Sequence, residues 1–275
     1  MHQVKANGAS IPALGLGTFT LKGEDCVTMV REALARGYRH IDTAKMYGNE
    51  AEVGEGIRQG GLSRDDLFVT TKVWWTDLSP DDLRRSAESS LAALGLDAVD
   101  LLLVHWPNPA IPLGETMAAL ARAKQDGLAR HIGVSNFTTR HLEEALATCP
   151  EPLVANQVEY HPYLDQSKVY AACRKVGMAM VSYCPLHRGG VLLATEEVRA
   201  ASRNHGKSPG QIVLRWHVQQ DGVVAIPRTS KPERLSENAD IFDFELSGDE
   251  MTSISRLAGK GSRICDFDFS PEWDD

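Results

Sequence analysis

The sequence predicts an α/β chain folded as one (β/α)8 TIM barrel with a short C-terminal tail. Three observations carry that expectation. Eight short β-branched runs are spread along the 275 residues, each followed by a helical pattern or a long loop. Several of those runs are apolar nearly throughout, as parallel strands covered on both faces must be. No linker rich in Gly, Ser or Pro divides the chain, so residues 1–275 read as a single domain. A doubly wound sheet shows the same alternation and is the competing architecture, because periodicity does not report barrel closure.

In chain order, the first candidate strand is Leu14–Gly17. Val27, Val30 and Leu34 follow as a helical stripe that stops at Gly37. The second strand is Tyr38–Asp42, and Gly54-Glu55-Gly56 lies in the helical pattern behind it. Phe68–Trp74 is the third. Ser79-Pro80-Asp81-Asp82 then opens a helix whose Leu83, Ala87, Leu91 and Leu94 share a face. Ser79 suits the N-cap, Pro80 the first helical position, and the acids the positive helix end. Val99–Trp106, His131–Ser135, Val154–Glu159, Ala179–Pro185 and Val223–Pro227 complete the eight. Ser208-Pro209 and Ser247-Gly248-Asp249-Glu250 are further helix starts, and Leu257 to Asp275 reads as a tail.

Composition removes several function classes. The net charge is −8 with no basic run, which argues against nucleic acid and anionic membrane as partners. Five cysteines, an odd number without C-x-x-C spacing, argue against a disulfide scaffold and a thiolate zinc site. The residues from Met1 to Lys5 lead into Gly8 and Pro12 with no apolar signal core, and no run is long enough to span a bilayer. A cytoplasmic monomer with no protein partner is the expectation. Nine histidines form no tight metal pair, so no metal is expected; His40 reads as a barrel-filling residue and His161 as part of a turn. Gly15-Leu16-Gly17-Thr18-Phe19-Thr20 fails the G-x-G-x-x-G fingerprint at its last position, and no phosphate loop is present.

Four titratable groups fall at or just past the ends of consecutive candidate strands: Asp42, Tyr47, Lys72 and His105. In a barrel those carboxyl ends form the active face. Lys72 stands among apolar and threonine residues, so it should be buried and needs a partner; Asp42 on the neighbouring strand is the natural one. A structural ion pair explains those two equally well. Tyr47 and His105 favour chemistry. A free phenol, with a pKa of about 10, is a poor proton donor near neutrality. A cation about 4 Å away interacts by roughly 4 kcal/mol at an effective dielectric near 20, enough to lower the phenol by about one to three units.

This grouping resembles the aldo-keto reductase superfamily over almost the whole chain. The matching segments are Gly37-Tyr38-Arg39-His40-Ile41-Asp42-Thr43-Ala44, then Tyr47-Gly48-Asn49-Glu50, Val104-His105-Trp106-Pro107 and Gly133-Val134-Ser135-Asn136-Phe137. Asn156-Gln157-Val158-Glu159-Tyr160-His161-Pro162, Tyr183-Cys184-Pro185-Leu186 and Ile226-Pro227-Arg228-Thr229-Ser230 continue the series. The short loops and the Ser270-Pro271-Glu272-Trp273-Asp274 tail resemble the bacterial branch related to 2,5-diketo-D-gluconate reductases.

The resemblance implies NADPH-dependent reduction of an aldehyde or ketone, including dicarbonyls and keto-sugars, by hydride transfer. It makes Tyr47 the general acid, Lys72 and Asp42 the pair that tunes it, and His105 the residue that orients the carbonyl. It assigns Gly17, Thr18 and Asp42 to the cofactor site, Ser135, Asn136 and Gln157 to the carboxamide, and Tyr183 to stacking on the nicotinamide. Cys184 would lie near the cofactor, and Pro185 and Leu186 would follow the pyrophosphate. Arg228, Thr229, Ser230 and Arg234 would take the adenosine 2′-phosphate, with Glu237 and Asn238 at the adenine. Phe19, Trp74, His105, Trp106 and the tail after Leu257 would line the small-molecule carbonyl substrate.

The chain departs from the family pattern in places. Arg228 replaces a usual Lys, Phe19 a frequent Trp, and Cys184 a common Ser; His187 and Arg188 are less typical. Arg188 or Arg263 would attract an acidic substrate such as a keto-acid sugar, with an ordinary surface charge as the other reading of each. Two other functions compete: a Schiff-base lyase using Lys72, and a non-catalytic NADPH-binding sensor or subunit.

Overall fold

The computed structural model describes residues 2–259 and 263–274; the tail positions 260–262 and Asp275 lie outside the described residues, as does Met1. The chain starts with an antiparallel hairpin of β1 (Gln3–Ala6) and β2 (Ala9–Pro12). Asn7 and Gly8 make its turn with φ of 42° and 91°, left-handed backbone that suits the twist of a two-residue hairpin. The Asn7 side chain donates to the carbonyls of Leu153, at 2.8 Å, and Val176, at 3.0 Å. The hairpin therefore sits at the amino-terminal end of the barrel. The eight expected strands did not include it.

Eight strands then form one parallel sheet in chain order: β3 (Leu16–Gly17), β4 (His40–Asp42), β5 (Phe68–Val73), β6 (Val99–Val104), β7 (Ala129–Ser135), β8 (Leu153–Glu159), β9 (Ala179–Tyr183) and β10 (Val223–Ala225). The sheet closes on itself. Leu14 bridges Ala225 in parallel, Gly15 N donates to Ala225 O at 2.9 Å, and Gly17 N donates to Pro227 O at 3.1 Å. The fold is thus a (β/α)8 barrel and not a doubly wound sheet. Gly17 permits the closure, because a Cβ there would stand 2.8 Å from the Ile226 carbonyl oxygen.

Helices α1 (Gly23–Ala35), α2 (Glu50–Gly60), α3 (Pro80–Leu94), α4 (Leu113–Gln125), α5 (Thr139–Thr148) and α6 (Ser167–Lys175) follow β3 to β8 in turn. Two helices, α7 (Glu196–His205) and α8 (Pro209–Val218), follow β9; α9 (Pro232–Ala239) follows β10, and α10 (Gly248–Ser255) leads into the tail. α1 buries Val27, Val30 and Leu34 as its spacing requires, and Gly37 turns the chain at φ 92°. Ser208 with Gln211 and Ser247 with Glu250 form full capping boxes at α8 and α10, each satisfying two otherwise unpaired helix-end donors. Ser79 holds the N-cap of α3 and Pro80 its first position, but the Ser79 hydroxyl bonds the Asp82 carboxylate instead of a backbone N–H.

Several expected strand ends belong to loops. Trp74, His105, Trp106, Cys184, Pro185, Ile226 and Pro227 lie just beyond their strands. The sheet ends at Val73, Val104, Tyr183 and Ala225, and those residues continue onto its carboxyl mouth. Their apolar character fills that mouth rather than extending the ladder.

Candidate active site

Asp42 is the last residue of β4 and Lys72 the penultimate residue of β5, two strands that pair directly. Lys72 Nζ donates to Asp42 Oδ1 at 2.6 Å, to Thr43 O at 2.8 Å and to Tyr47 Oη at 3.3 Å. An ammonium has three donors, and all three are used. The Lys72 side chain is 0% exposed, so its charge survives through these partners.

Tyr47 ends a 3-10 turn, Lys45–Tyr47, that Gly48 closes at φ 59°. Two residues without an expected role hold this loop. Asn49 donates to Thr18 O at 2.9 Å and Leu21 O at 3.0 Å, and Thr43 Oγ1 donates to Asn49 Oδ1 at 2.9 Å. The Tyr47 ring lies 5.0 Å from Phe19 and 5.7 Å, edge to face, from His105.

The expected lowering of the Tyr47 pKa does not occur in this site. Burial holds the phenol well above its ordinary value, and Asp42 and the thiols of Cys184 and Cys265 act in the same direction. The physical reason is that Asp42, 2.6 Å from the ammonium, cancels most of its field, while a buried phenolate has lost its water. Burial lowers Lys72 against the opposing pull of Asp42. Tyr47 thus keeps its proton. His105 is buried, and burial, then Lys72, holds its pKa well below the ordinary value. Its imidazole is neutral, with Nδ1 buried and unpaired.

The ends of β7, β8 and β9 converge beside this cluster. Asn136, in left-handed backbone at φ 62°, donates to His105 O at 2.9 Å and Ser135 Oγ at 3.1 Å, and accepts from Tyr183 Oη at 2.7 Å. Gln157 Nε2 donates to Asp42 Oδ2 at 2.7 Å. Ser135 keeps its hydroxyl proton to donate and Gln157 its amide oxygen to accept. That pairing suits a carboxamide. Thr18 is fully buried, its hydroxyl bonded to Asp42 O at 3.0 Å.

Past β9, Cys184 adopts φ 50°, and the Cys265 thiol hydrogen-bonds it and lowers its pKa. Pro185 O accepts from His217 Nε2 at 3.1 Å, and Leu186 packs on the core. Past β10, the exposed Arg228 donates to Phe19 O at 3.2 Å and Ser230 Oγ at 3.4 Å. Thr229 Oγ1 accepts from Lys231 N at 3.1 Å, beside the start of α9. Within α9, Arg234 pairs with Glu237 at 3.5 Å, Glu237 accepts from Ser208, and Asn238 is buried. The Arg228 and Arg234 guanidinium groups give this surface cations of the kind that suit a phosphate.

The aromatic wall is larger than the sequence indicated. Trp74 meets His105 at 5.1 Å, and Phe269 from the tail packs on Trp74, Trp75 and Trp106 at 5.7, 5.3 and 5.4 Å. Phe267 and Trp273 also contact Trp106. The tail was expected here, but its individual rings were not; three aromatics within seven residues were the available signal. Arg263 stacks its guanidinium 3.8 Å over the Trp273 ring, and Arg188 is exposed. Among the described residues no cluster of His, Cys, Asp and Glu is fit to hold a metal.

A barrel with a buried cluster of titratable groups at its carboxyl mouth has the architecture of a (β/α)8 enzyme. The sequence model of the aldo/keto reductase family matches residues 13–258. A glyoxal reductase of Bacillus subtilis (strain 168) is 42% identical over 259 residues, 94% of this chain and 92% of that protein. A methylglyoxal reductase of Escherichia coli O157:H7 is 40% identical over 268 residues, 96% of this chain and 100% of that protein. The crystal structure of a putative 2,5-diketo-D-gluconic acid reductase B superposes with a TM-score of 0.97 at 45% identity, covering 100% of this chain and 98% of that one. An aldo-keto reductase of Bombyx mori in complex with NADP superposes at 0.89 with 34% identity, over 96% and 94% of the two chains. This chain belongs to the aldo/keto reductase family, and it is an oxidoreductase.

Proposed function

We propose that the protein reduces small aldehydes and ketones to alcohols with NADPH, dicarbonyls foremost, using Tyr47 as general acid. One observation carries the reading: a fully buried ammonium, held by Asp42 and Thr43, donates to the hydroxyl of Tyr47 at 3.3 Å. When bound, the reduced nicotinamide supplies the hydride that reduces the carbonyl carbon. Tyr47 Oη–H donates its proton to the carbonyl oxygen. Lys72 Nζ–H then hydrogen-bonds the phenolate oxygen left behind, a charge-assisted contact in a site with little water. His105, neutral, has an N–H to donate to the same carbonyl oxygen and so orients it. Ser135, Asn136, Gln157 and Tyr183 hold the nicotinamide end, and Arg228, Thr229, Ser230 and Arg234 the 2′-phosphate. The aromatic wall excludes water.

The names of the relatives support dicarbonyl substrates, and the exposed Arg228 and Arg234 support the phosphorylated cofactor. Lys72 is a poor Schiff-base nucleophile, because each of its three donors is engaged. Cofactor oxidation by the purified protein with glyoxal, methylglyoxal, a keto-sugar acid and an aromatic aldehyde tests the proposal. NADPH should exceed NADH in kcat/KM, and Arg228→Ala should cut that preference by about tenfold or more, since a charged hydrogen bond contributes about 1.5–3 kcal/mol. Equal specificity constants for the two cofactors would refute the phosphate assignment. Tight NADPH binding without turnover of any carbonyl would favour the non-catalytic sensor.

A further inference from the structure

We propose that Glu159 is a positioning residue that sets substrate selectivity by holding the aromatic tail over the barrel mouth. The inference rests on the carbonyl reductase reading and adds a residue that no step of the reaction uses. Glu159 ends β8 and is 0% exposed. Its Oε1 accepts from His161 Nε2 at 2.9 Å and from the backbone N–H of Ile264 at 2.7 Å; its Oε2 accepts from the backbone N–H of Cys265 at 2.7 Å. Burial raises the carboxyl pKa, but His161 and the two tail amides reverse that and leave it below its ordinary value.

A buried carboxylate depends on such donors. Two of the three come from a segment more than a hundred residues away. Four residues past Cys265 stands Phe269, the ring that covers Trp74, Trp75 and Trp106. At its far end the tail is tied again, where Thr139 N and Oγ1 donate to Asp274 at 2.8 and 2.7 Å. Phe267, Phe269 and Trp273 therefore hang between two anchors. The Glu159 anchor lies on the strand that also carries Gln157, so the wall is registered directly to the cofactor side of the mouth.

Glu159→Gln keeps size but removes the charge and turns one acceptor into a donor facing a backbone N–H. The tail should loosen at 264–265. KM for an aromatic aldehyde is expected to rise about tenfold, while kcat with glyoxal and the dissociation constant of NADPH stay within about twofold. Combined with Phe269→Ala, the penalties on KM should fail to add, because both remove the same wall. Alkylation of Cys265 by iodoacetamide, mapped by mass spectrometry, should speed up in Glu159→Gln with or without turnover. If that variant does not fold, Ile264→Pro removes one tail donor outside the barrel and should give the same KM and labelling changes. Unchanged Cys265 labelling with unchanged KM would overturn the proposal, as would a uniform loss of kcat for every carbonyl. A parent protein inactive toward all carbonyls would contradict the functional reading instead, and Cys265 labelling would still decide the anchor.

Discussion

The chemistry of the site depends on which of four side chains carry charge. Asp42 and Lys72 pair across 2.6 Å, and Tyr47 and His105 beside them stay neutral because they are buried. The neutrality of His105 has a direct consequence. Its pKa is held well below 6.5 by burial and then by Lys72, so its imidazole does not gain a proton as pH falls through 6.5. The kcat/KM profile for reduction should show no inflection near pH 6.5. An inflection there that disappears in His105→Gln would show that the ring titrates and would contradict the assignment. All four residues were legible in the sequence, since a lysine in an otherwise apolar strand demands an acid on the next strand. The direction of the Tyr47 shift was not, because it depends on how completely Asp42 neutralises the ammonium. The link from Glu159 to the tail and the place of the Phe269 ring were not legible either: the amides of Ile264 and Cys265 join a strand end to a tail whose path has no periodicity to read.

Elements are fitted to one another by a few close approaches. Gly54 of α2 lies against the carboxyl end of α3, where an added Cβ would stand 2.3 Å from Leu94 O; at Gly56 it would stand 2.6 Å from the Val30 side chain of α1. In an isolated helix Gly→Ala would help by about 1 kcal/mol. Here the clash is with backbone, and overpacking costs about 1–3 kcal/mol. Gly54→Ala should therefore lower the free energy of unfolding, measured by urea titration; an unchanged or higher value would show that α2 moves freely on α3. The sequence placed this glycine in a helix but gave no reason for it. Strand positions and helix starts were legible because apolar runs and Ser-Pro or Ser-x-x-Glu signals are local. The N-terminal hairpin is faint in the sequence, although Asn7-Gly8 marks its turn, because its two strands have only four residues each and half-polar patterns.

At the scale of the whole molecule, closure converts sequence order into spatial order, so groups from β4 to β9 meet at one mouth. The fold also buries His40, His105 and His217, all with lowered pKa values, His217 to about 3. Each refuses in the fold a proton that the unfolded chain accepts below about pH 6.5. Their share of the stability is intact above that pH and is lost as pH falls toward the folded pKa values, with a limiting slope of about 1.4 kcal/mol per pH unit for each histidine. The midpoint of urea unfolding should drop steeply between pH 6.5 and 4.5; a flat midpoint across that window would mean that these rings are protonated in the fold. Closure itself was invisible in the sequence, since the hydrogen bonds of Gly15 and Gly17 to Ala225 and Pro227 join the first strand to the last.

The proposed reaction turns on the Tyr47 hydroxyl as the proton donor. Tyr47→Phe removes that hydroxyl and keeps the ring against Phe19 and His105. Stopped-flow turnover of NADPH with methylglyoxal, measured beside NADPH binding by fluorescence, should show binding within about twofold of the parent and turnover reduced by about 100-fold or more, the usual contribution of a general acid. Turnover close to that of the parent, with binding intact, would show that another group supplies the proton.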